Sequence, residues 1–533
     1  MTEKAQILKS TSVITLATLT SRILGYIRDQ RVAQLLGTTL SSDAFYLAFR
    51  IPNLLRRLVA EGAMSAAFVP VFTTYLVEKS EREVWEFANR LFWTLAVSVT
   101  AIVALGMIFS PALIHAFTLM GHNTVELNEA IYLNRIIFPF ILFISLSALS
   151  MAILNCFHVF GLPALTPAIS NLGIILFSTA LVWRQFHSPA IALAVGVVFG
   201  GALQFLAQLP QLRRRGMAFD WGLSFSDPGI RRVGKLMVPM VFGFGVAHLN
   251  FYVDTIFATA SKMPSGSVTA LYYADRVMEL VLGSYAVAVA TAILPRMSRQ
   301  AAAHDFGTLK QTVSFSVRIV CFITIPAMIG MMMLSQPIVR VLFQHGKFVA
   351  ESTRLTAWAL IFYALALPAI AVAKLIVQAF YATKDTKTPV WVAAFVLALN
   401  IALNSMFLFL FFPQLRNAGP ALATAVSAYV NFVSLFIIFR KRHGRMGARE
   451  ILFSVTKAFA SSALMAGVCL LALRYGNLGH RSLPLDAAML FATIAASFAV
   501  YLGLSWLLRA PEIREVYEFI LWRKGTGAAA GLA

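Results

Sequence analysis

The stretch WVAAFVLALNIALNSMFLFLFF, residues 391–412, contains no charged side chain. The stretches WTLAVSVTAIVALGMIF (93–109) and NLGIILFSTALVW (171–183) are similarly apolar. A helix that crosses a hydrocarbon core about 30 Å thick needs about 20 predominantly apolar residues. Stretches of this kind therefore predict helices that span a membrane.

The rest of the chain has the same character. Of its 533 residues, 59% are hydrophobic and 13% are charged, and the mean hydropathy is +0.76. Soluble domains carry about 25% charged residues. We therefore expect an all-α polytopic membrane protein, in which hydropathy and turn signals predict about 14 transmembrane helices. They cover residues 10–34, 42–76, 85–110, 129–157, 163–183, 189–210, 232–258, 267–295, 310–334, 354–381, 388–412, 419–440, 450–474 and 486–509.

The net charge of +21 is explained by membrane topology and by an anionic cargo rather than by a nucleic-acid partner. The basic residues are unevenly distributed between the two sets of alternating loops. Roughly 24 Lys and Arg lie in both tails and in one set of loops, which includes 77–84, 211–234 and 440–449, against roughly seven in the alternate loops. Basic residues are retained on the cytoplasmic side, so both termini are expected there. The polar first ten residues predict no cleavable signal peptide.

Two segments, 211–234 and 512–524, mix basic and aromatic residues. Such segments are expected to lie against anionic membrane lipids. Ordinary topology determinants explain the same composition equally well, so both interpretations stay open.

The sequence repeats itself. AFYLAFR at 44–50 matches ALYYADR at 270–276 in four of seven positions. Two further landmarks recur in the same order, AFVP at 67–70 with AILP at 292–295, and Thr166-Pro167 with Thr388-Pro389. Because six predicted spans separate the matched elements, two parallel six-helix repeats are expected, with a central cavity between the lobes. The predicted domains are 1–215, 216–445, and 446–533 with two extra helices.

Charged residues are concentrated where they are least expected, in the first two predicted spans. An arginine at the bilayer centre costs about 2.5–3.5 kcal/mol, so these side chains must line a wet cavity or pair internally. They are Arg22, Arg28, Asp29, Arg31, Asp43, Arg50, Arg56, Arg57 and Glu61, and the eighth span adds Asp275, Arg276 and Glu279. The planar fork of arginine binds phosphate in a bidentate manner, which favours a diphosphate or polycarboxylate cargo. The alternative is that the arginines only brace helices through ion pairs.

A second set of intramembrane polar residues is a weaker signal. It comprises Asp254, Lys374, Asn400, Asn404 and Thr424. Oxygen ligands from Asp, Asn and Thr would suit a sodium ion, and Asp254 would suit a proton. Hydrogen bonds between helices are the competing interpretation, and no secure metal site is predicted.

No motif for catalysis is present. The sequence lacks a G-x-x-x-x-G-K-[ST] loop, H-E-x-x-H, C-x-x-C and G-x-S-x-G. We therefore expect a transporter without a cofactor, powered by an ion gradient, the membrane potential or the gradient of its cargo. An integral-membrane enzyme for prenyl diphosphates and a non-transporting scaffold are the rival classes.

Several motifs resemble those of the MurJ (MviN) lipid II flippase family. They are SRILGYIRD at 21–29, SDAF at 42–45, IPNLLRR at 51–57, AEGA at 60–63, AFVP at 67–70, YYADRVME at 272–279 and DTKTP at 385–389. The resemblance covers essentially the whole chain and implies a member of the multidrug/oligosaccharidyl-lipid/polysaccharide exporter superfamily in the bacterial inner membrane. It also implies alternating access, and a groove for a polyprenyl tail at the last two spans.

The resemblance further implies roles for particular residues. Cavity arginines of the family fall on Arg22, Arg28, Arg56 or Arg57, and Arg276, with Asp29, Asp43, Glu61 and Glu279 as acidic partners. The implied cargo is lipid II, and cell-wall synthesis proteins are expected partners. A family sodium site would fall on Asp254, Asn400, Asn404 and Thr424, although a second acid is missing near Asn404. Another polyprenyl-linked glycan, or drugs exchanged against ions, are the alternative cargoes.

Overall fold

The computed structural model describes residues 3–58, 64–118, 124–283, 287–410, 415–476, 478 and 482–513. These residues form helices joined by turns and loops, and no β-strand occurs among them. The expectation of an all-α membrane protein is confirmed.

The chain divides into two units. The first contains residues up to 269 together with 345–349, and the second contains 270–344 and the chain from 350 onward. The first unit is built from α1 (Glu3–Leu36), α2 (Leu40–Leu58), α3 (Met64–Glu78), α4 (Glu81–Ile108), α5 (Ser110–Ala116), α6 (Thr124–Ile137), α7 (Phe140–Cys156), α8 (Gly161–Phe177), α9 (Ala180–Trp183), α10 (Pro189–Leu206), α11 (Leu209–Arg214) and α12 (Pro228–Ala258).

The helix α13 (Ser267–Val281) begins at the boundary of the units. The second unit continues with α14 (Val287–Ala302), α15 (Phe306–Met333), α16 (Ser335–Phe343), α17 (Ala350–Ala382), α18 (Lys387–Leu410), α19 (Gly419–His443), α20 (Ala448–Tyr475) and α21 (Leu483–Leu507).

Within the described ranges, nine helical segments are long and apolar enough to cross a membrane. They include Glu81–Ile108 in the first unit and Ala350–Ala382 in the second. Three expectations stay predictions: the count of fourteen spans, the two-repeat layout and the domain boundaries at 215 and 445. The two units are defined by contacts between residues, and such units do not test boundaries that were inferred from a sequence repeat.

Prolines inside helices leave backbone carbonyls that other residues satisfy. A proline has no N–H, so the carbonyl four residues earlier loses its helical partner. Pro52 in α2 has this effect on Ala48, whose carbonyl accepts a hydrogen bond of 2.9 Å from Asn134 Nδ2. Asn134 is fully buried in α6. The pairing fixes α2 against α6 beside Pro52.

The same arrangement occurs in the second unit. Pro326 in α15 frees the carbonyl of Phe322, which accepts a hydrogen bond of 2.6 Å from the Tyr501 hydroxyl of α21. Further along this contact, the Arg318 guanidinium lies 3.1 Å from the buried Glu512 carboxylate. The last helix, α21, and the residues that follow it are therefore attached to α15 by polar contacts within an apolar interface.

Close packing of α8 on α10 positions one wall of the candidate site. A Cβ atom at Gly173 would lie 2.5 Å from the Cα of Gly200, so neither position has room for a side chain. Small residues of this kind let helix backbones approach closely in membranes. The approach fixes α8, which also packs against α1 and carries Asn171.

Candidate substrate-binding arginines

Arg28 is held between two helices of the first unit. Its Nη2 and Nε donate to Asp29 Oδ1 at 2.6 and 2.9 Å, and its Nη1 donates to Asn171 Oδ1 at 2.9 Å. Asn171 Nδ2 in turn donates to the carbonyl of Ser21 at 3.2 Å. The Arg28 side chain is 17% exposed, so the guanidinium is oriented by its partners while retaining access from outside.

Other predicted arginines of the first unit are less enclosed. Arg22 is exposed on α1, and Arg31 is exposed with Nη1 donating to Gln34 at 3.0 Å. Arg56 on α2 is half-buried and donates from Nε to Asn53 Oδ1 at 2.9 Å. The side chain of Arg57 and the whole of Glu61 lie outside the described residues.

Asp43 has a structural contact. Its carboxylate accepts hydrogen bonds from the backbone N–H groups of Gly266 and Thr269, each at 2.8 Å, and from the Thr269 hydroxyl at 2.7 Å. These groups lie at the start of α13, where a negative charge also complements the helix dipole. Asp43 therefore stabilises the backbone conformation at the start of α13.

The second unit contains the pair of Arg276 and Glu279. Arg276 Nη1 lies 3.0 Å from Glu279 Oε2, one turn apart on α13. The side chains are 35% and 28% exposed. Both remain partly accessible, whereas the neighbouring Asp275 is buried.

Three residues predicted for ion coupling meet in the second unit. Asn400 Nδ2 donates to Thr424 Oγ1 at 3.3 Å, and Asn404 Nδ2 donates to the Asn400 carbonyl at 3.1 Å. All three are buried between α18 and α19. The bond from Asn400 to Thr424 joins α18 to α19, as the competing interpretation of the sequence expects, whereas the bond from Asn404 lies within α18.

The other two residues of that set lie elsewhere. Asp254 is buried on α12, in the first unit, and Lys374 is exposed on α17. Across the described part of the chain, no group of three or more His, Cys, Asp or Glu side chains is arranged to hold a metal ion. The ion-coupling role of this set remains a prediction.

Sequence reasoning missed the two asparagines that organise the first unit. Asn171 bonds the candidate arginine Arg28, and Asn134 bonds the proline-freed carbonyl of Ala48. The available signal was a lone asparagine within an apolar helix, which in a membrane predicts a hydrogen bond to another helix. The sequence does not identify the hydrogen-bond partner of Asn171, because Arg28 and Asn171 are 143 residues apart.

Comparisons with known proteins agree with this architecture. A sequence profile of the family described as Lipid II flippase MurJ matches residues 32–484. A relative from Vibrio cholerae, named a probable lipid II flippase MurJ, is 35% identical over 88% of this chain and 90% of its own length. A relative from Burkholderia cenocepacia, named a lipid II flippase MurJ, is 33% identical over 92% and 95%.

Solved structures give the same result. The structure titled "Lipid II flippase MurJ, inward closed conformation" superposes with a TM-score of 0.75 at 28% identity, over 93% of this chain and 98% of that one. An inward-facing transporter of the multidrug resistance MATE family superposes with a TM-score of 0.64 at 14% identity, over 81% and 98%, which shows a shared fold alone.

The all-α polytopic fold, shared with the MurJ structure over 93% of the chain, is that of an integral-membrane transporter. Within that class, the chain belongs to the MurJ lipid II flippase family. The named relatives are flippases rather than enzymes, in agreement with the sequence-based expectation.

Proposed function

We propose that this protein moves lipid II, the undecaprenyl-diphosphate-linked peptidoglycan precursor, from the inner to the outer leaflet of the bacterial cytoplasmic membrane. The observation that carries the proposal is the geometry of Arg28. Its charged fork is held by Asp29 and Asn171 and remains 17% exposed. A diphosphate is the part of lipid II for which such a fork is suited.

In this proposal the diphosphate of lipid II replaces the Asp29 and Glu279 carboxylates as the group that accepts hydrogen bonds from the arginines. The arginines that bind it are Arg22, Arg28, Arg56, Arg57 and Arg276. In the empty carrier Asp29 and Glu279 keep Arg28 and Arg276 neutralised and oriented, as their contacts of 2.6 and 3.0 Å allow. Exchange of one anionic partner for another limits the desolvation of each guanidinium during binding.

Transport would follow an alternating-access cycle. The empty carrier returns under the membrane potential or an ion gradient. Moving one elementary charge through the field releases about 2.3 kcal/mol per 100 mV, which is enough to bias the return of a cationic carrier. Coupling to Na⁺ or H⁺ would use Asp254 or the Asn400, Asn404 and Thr424 group.

The proposal is tested by expressing the chain in a bacterium depleted of its own lipid II flippase. A membrane-impermeant enzyme then measures how much lipid II is accessible on the outer leaflet. The wild-type chain should restore accessibility, whereas Arg28→Ala and Arg276→Ala should reduce it about tenfold or more, since each loses a charge-assisted hydrogen bond to the cargo.

Arg31→Ala is the matched control, because Arg31 lies one turn along the same helix and contacts only Gln34 at 3.0 Å in the described contacts. It should transport at the wild-type rate. Normal accessibility with both Arg28→Ala and Arg276→Ala would exclude the arginine-based mechanism. If the folded wild-type chain does not restore lipid II accessibility but transports another polyprenyl-linked glycan or a drug, lipid II is not its cargo.

A further inference from the structure

The segment at 213–235, which we call the basic loop, exposes a row of apolar side chains. Trp221, Leu223 and Phe225 are 68%, 45% and 57% exposed. Six basic residues flank them and are also exposed, namely Arg213, Arg214, Arg215, Arg231, Arg232 and Lys235. A surface that combines aromatic and basic side chains is typical of a contact with anionic lipid.

The basic loop is fixed along α4. Trp93 Nε1 donates to the carbonyl of Phe219 at 3.2 Å, and the backbone N–H of Ser224 donates to Thr94 Oγ1 at 3.2 Å. The rings of Trp93 and Trp221 lie 4.6 Å apart. The exposed aromatic side chains therefore have a defined direction set by three contacts with one helix.

These contacts lie at a particular level of α4. The charged residues of this helix end at Arg90, and the sequence from Leu91 to Ile108 carries no charge. Trp93 and Thr94 belong to the first turn of the uncharged part. The loop is thus held where a spanning helix passes from the headgroup region into hydrocarbon, which is the level that tryptophan favours in membrane proteins.

The basic loop carries an excess of positive charge. Among the described residues, none of the six basic side chains forms an ion pair. The loop has two acidic residues, Asp220 and Asp227. Asp227 accepts a hydrogen bond from the N–H of Gly229 at 2.8 Å, where it caps α12, and lies 3.5 Å from Arg90.

We propose that the basic loop binds anionic glycerophospholipid headgroups, with Trp221 and Phe225 inserted at the interface and the flanking arginines on the phosphates. The arginine fork matches a phosphate, and the aromatic rings match the boundary of the acyl chains. The site takes bulk membrane lipid and does not depend on lipid II.

The test uses energy transfer from Trp221 to dansyl-labelled phosphatidylglycerol. The full chain is reconstituted in phosphatidylcholine nanodiscs without lipid II and titrated with the labelled lipid. Because the protein has eight tryptophans, the signal of Trp221 is the difference between wild type and Trp221→Phe. Transfer should reach half-saturation at a much lower fraction of dansyl-phosphatidylglycerol than of dansyl-phosphatidylcholine.

The double variant R214Q/R232Q supplies the charge test. Each juxtamembrane basic residue contributes about fivefold to anionic-lipid affinity, so the midpoint should rise about 25-fold. R445Q/R449Q removes the same charge from exposed positions just before and at the start of α20, and should leave the midpoint unchanged.

Three results would overturn the proposal. They are equal midpoints for the two labelled lipids, an equal shift in R445Q/R449Q, or quenching of Trp221 by aqueous iodide without transfer, which would indicate a loop facing a soluble partner. Since no lipid II is present, these results leave the proposed transport function unaffected. Loss of transport in Arg28→Ala leaves the lipid site unaffected in the same way.

Discussion

Arg28 engages two neighbours at once with different nitrogens of its guanidinium. Nη1 donates to Asn171 at 2.9 Å while Nη2 and Nε donate to Asp29. A lysine ammonium keeps the charge but lacks the planar fork. We expect Arg28→Lys to fold normally and to transport at least about tenfold more slowly, measured as lipid II accessibility.

Arg31→Lys is the control for that substitution. Arg31 is exposed and contacts Gln34 of its own helix, so a lysine there should transport normally. A wild-type rate in Arg28→Lys would mean that charge alone is sufficient, and the fork geometry would lose its proposed role.

Asp385, in the turn before α18, gives a prediction about pH. Burial alone would raise its pKa, but hydrogen bonds from Thr388 and the charge of Arg442 outweigh burial and lower the pKa. The folded state therefore favours the carboxylate, and the resulting stability is present above the ordinary pKa of about 3.9 and is lost as the pH falls through the lower folded value. Asp385→Asn should lower the Tm at neutral pH.

The difference in Tm between wild type and Asp385→Asn should narrow below about pH 4, where the carboxylate of the unfolded chain is protonated. Thermal unfolding in detergent at the two pH values measures it. Asp220→Asn, at an exposed carboxylate, should match wild type at both. A Tm gap that is constant with pH would show that the side-chain amide, not the lost charge, causes the effect.

At the scale of elements, the helix α2 depends at Pro52 on a residue of another helix. Asn134 supplies the hydrogen bond that Ala48 loses to Pro52. Asn134→Leu should leave this buried carbonyl without a donor and reduce the free energy of unfolding by about 1–3 kcal/mol. The cost should be smaller in a Pro52→Ala background, because that substitution restores a backbone N–H that α2 itself can use.

Thermal or denaturant unfolding of the four proteins in this double-mutant cycle measures the coupling. Additive effects of Asn134→Leu and Pro52→Ala would contradict the assignment. The proline-freed carbonyl of Phe322, bonded by Tyr501, shows that the same device recurs in the second unit.

The helices themselves were largely predictable, because hydropathy reports directly on burial in lipid. Each predicted segment contains helix in the described residues. Breaks between two helices within one predicted span were not predictable, because hydropathy is averaged over a window of residues. The predicted span 129–157 is divided by a turn at Phe138 and Pro139, and 42–76 contains the separate helices α2 and α3.

The candidate site was predictable only where its contacts are local. Arg276 and Glu279 are three residues apart, a helical spacing that brings two side chains of one helix within reach of each other. By contrast, Asp43 and Thr269 are 226 residues apart, and no periodicity reports on a contact between helices. Composition predicts that an intramembrane charge needs a partner, but the partner's identity depends on how the helices pack.

At the scale of the whole molecule, 44 basic against 23 acidic residues bias the orientation of every span. The distribution predicts that the loop at 440–449 and the region after α21 are cytoplasmic, and that the turn at Arg184 is external. In a variant without Cys156, Cys321 and Cys469, single cysteines at 184, 445 and 509 test this, since all three positions are exposed.

A membrane-impermeant maleimide should label Arg184→Cys in intact cells. It should label Arg445→Cys and Arg509→Cys only after permeabilisation, because two spans, α20 and α21, separate these positions and return the chain to the same side. If Arg509→Cys is labelled from outside and Arg445→Cys is not, the chain crosses the membrane an odd number of times between these two positions. Labelling of both from outside, with Arg184→Cys protected, would invert the molecule. It would also place the basic loop on the outer face, against the expected retention of positive charge in the cytoplasm.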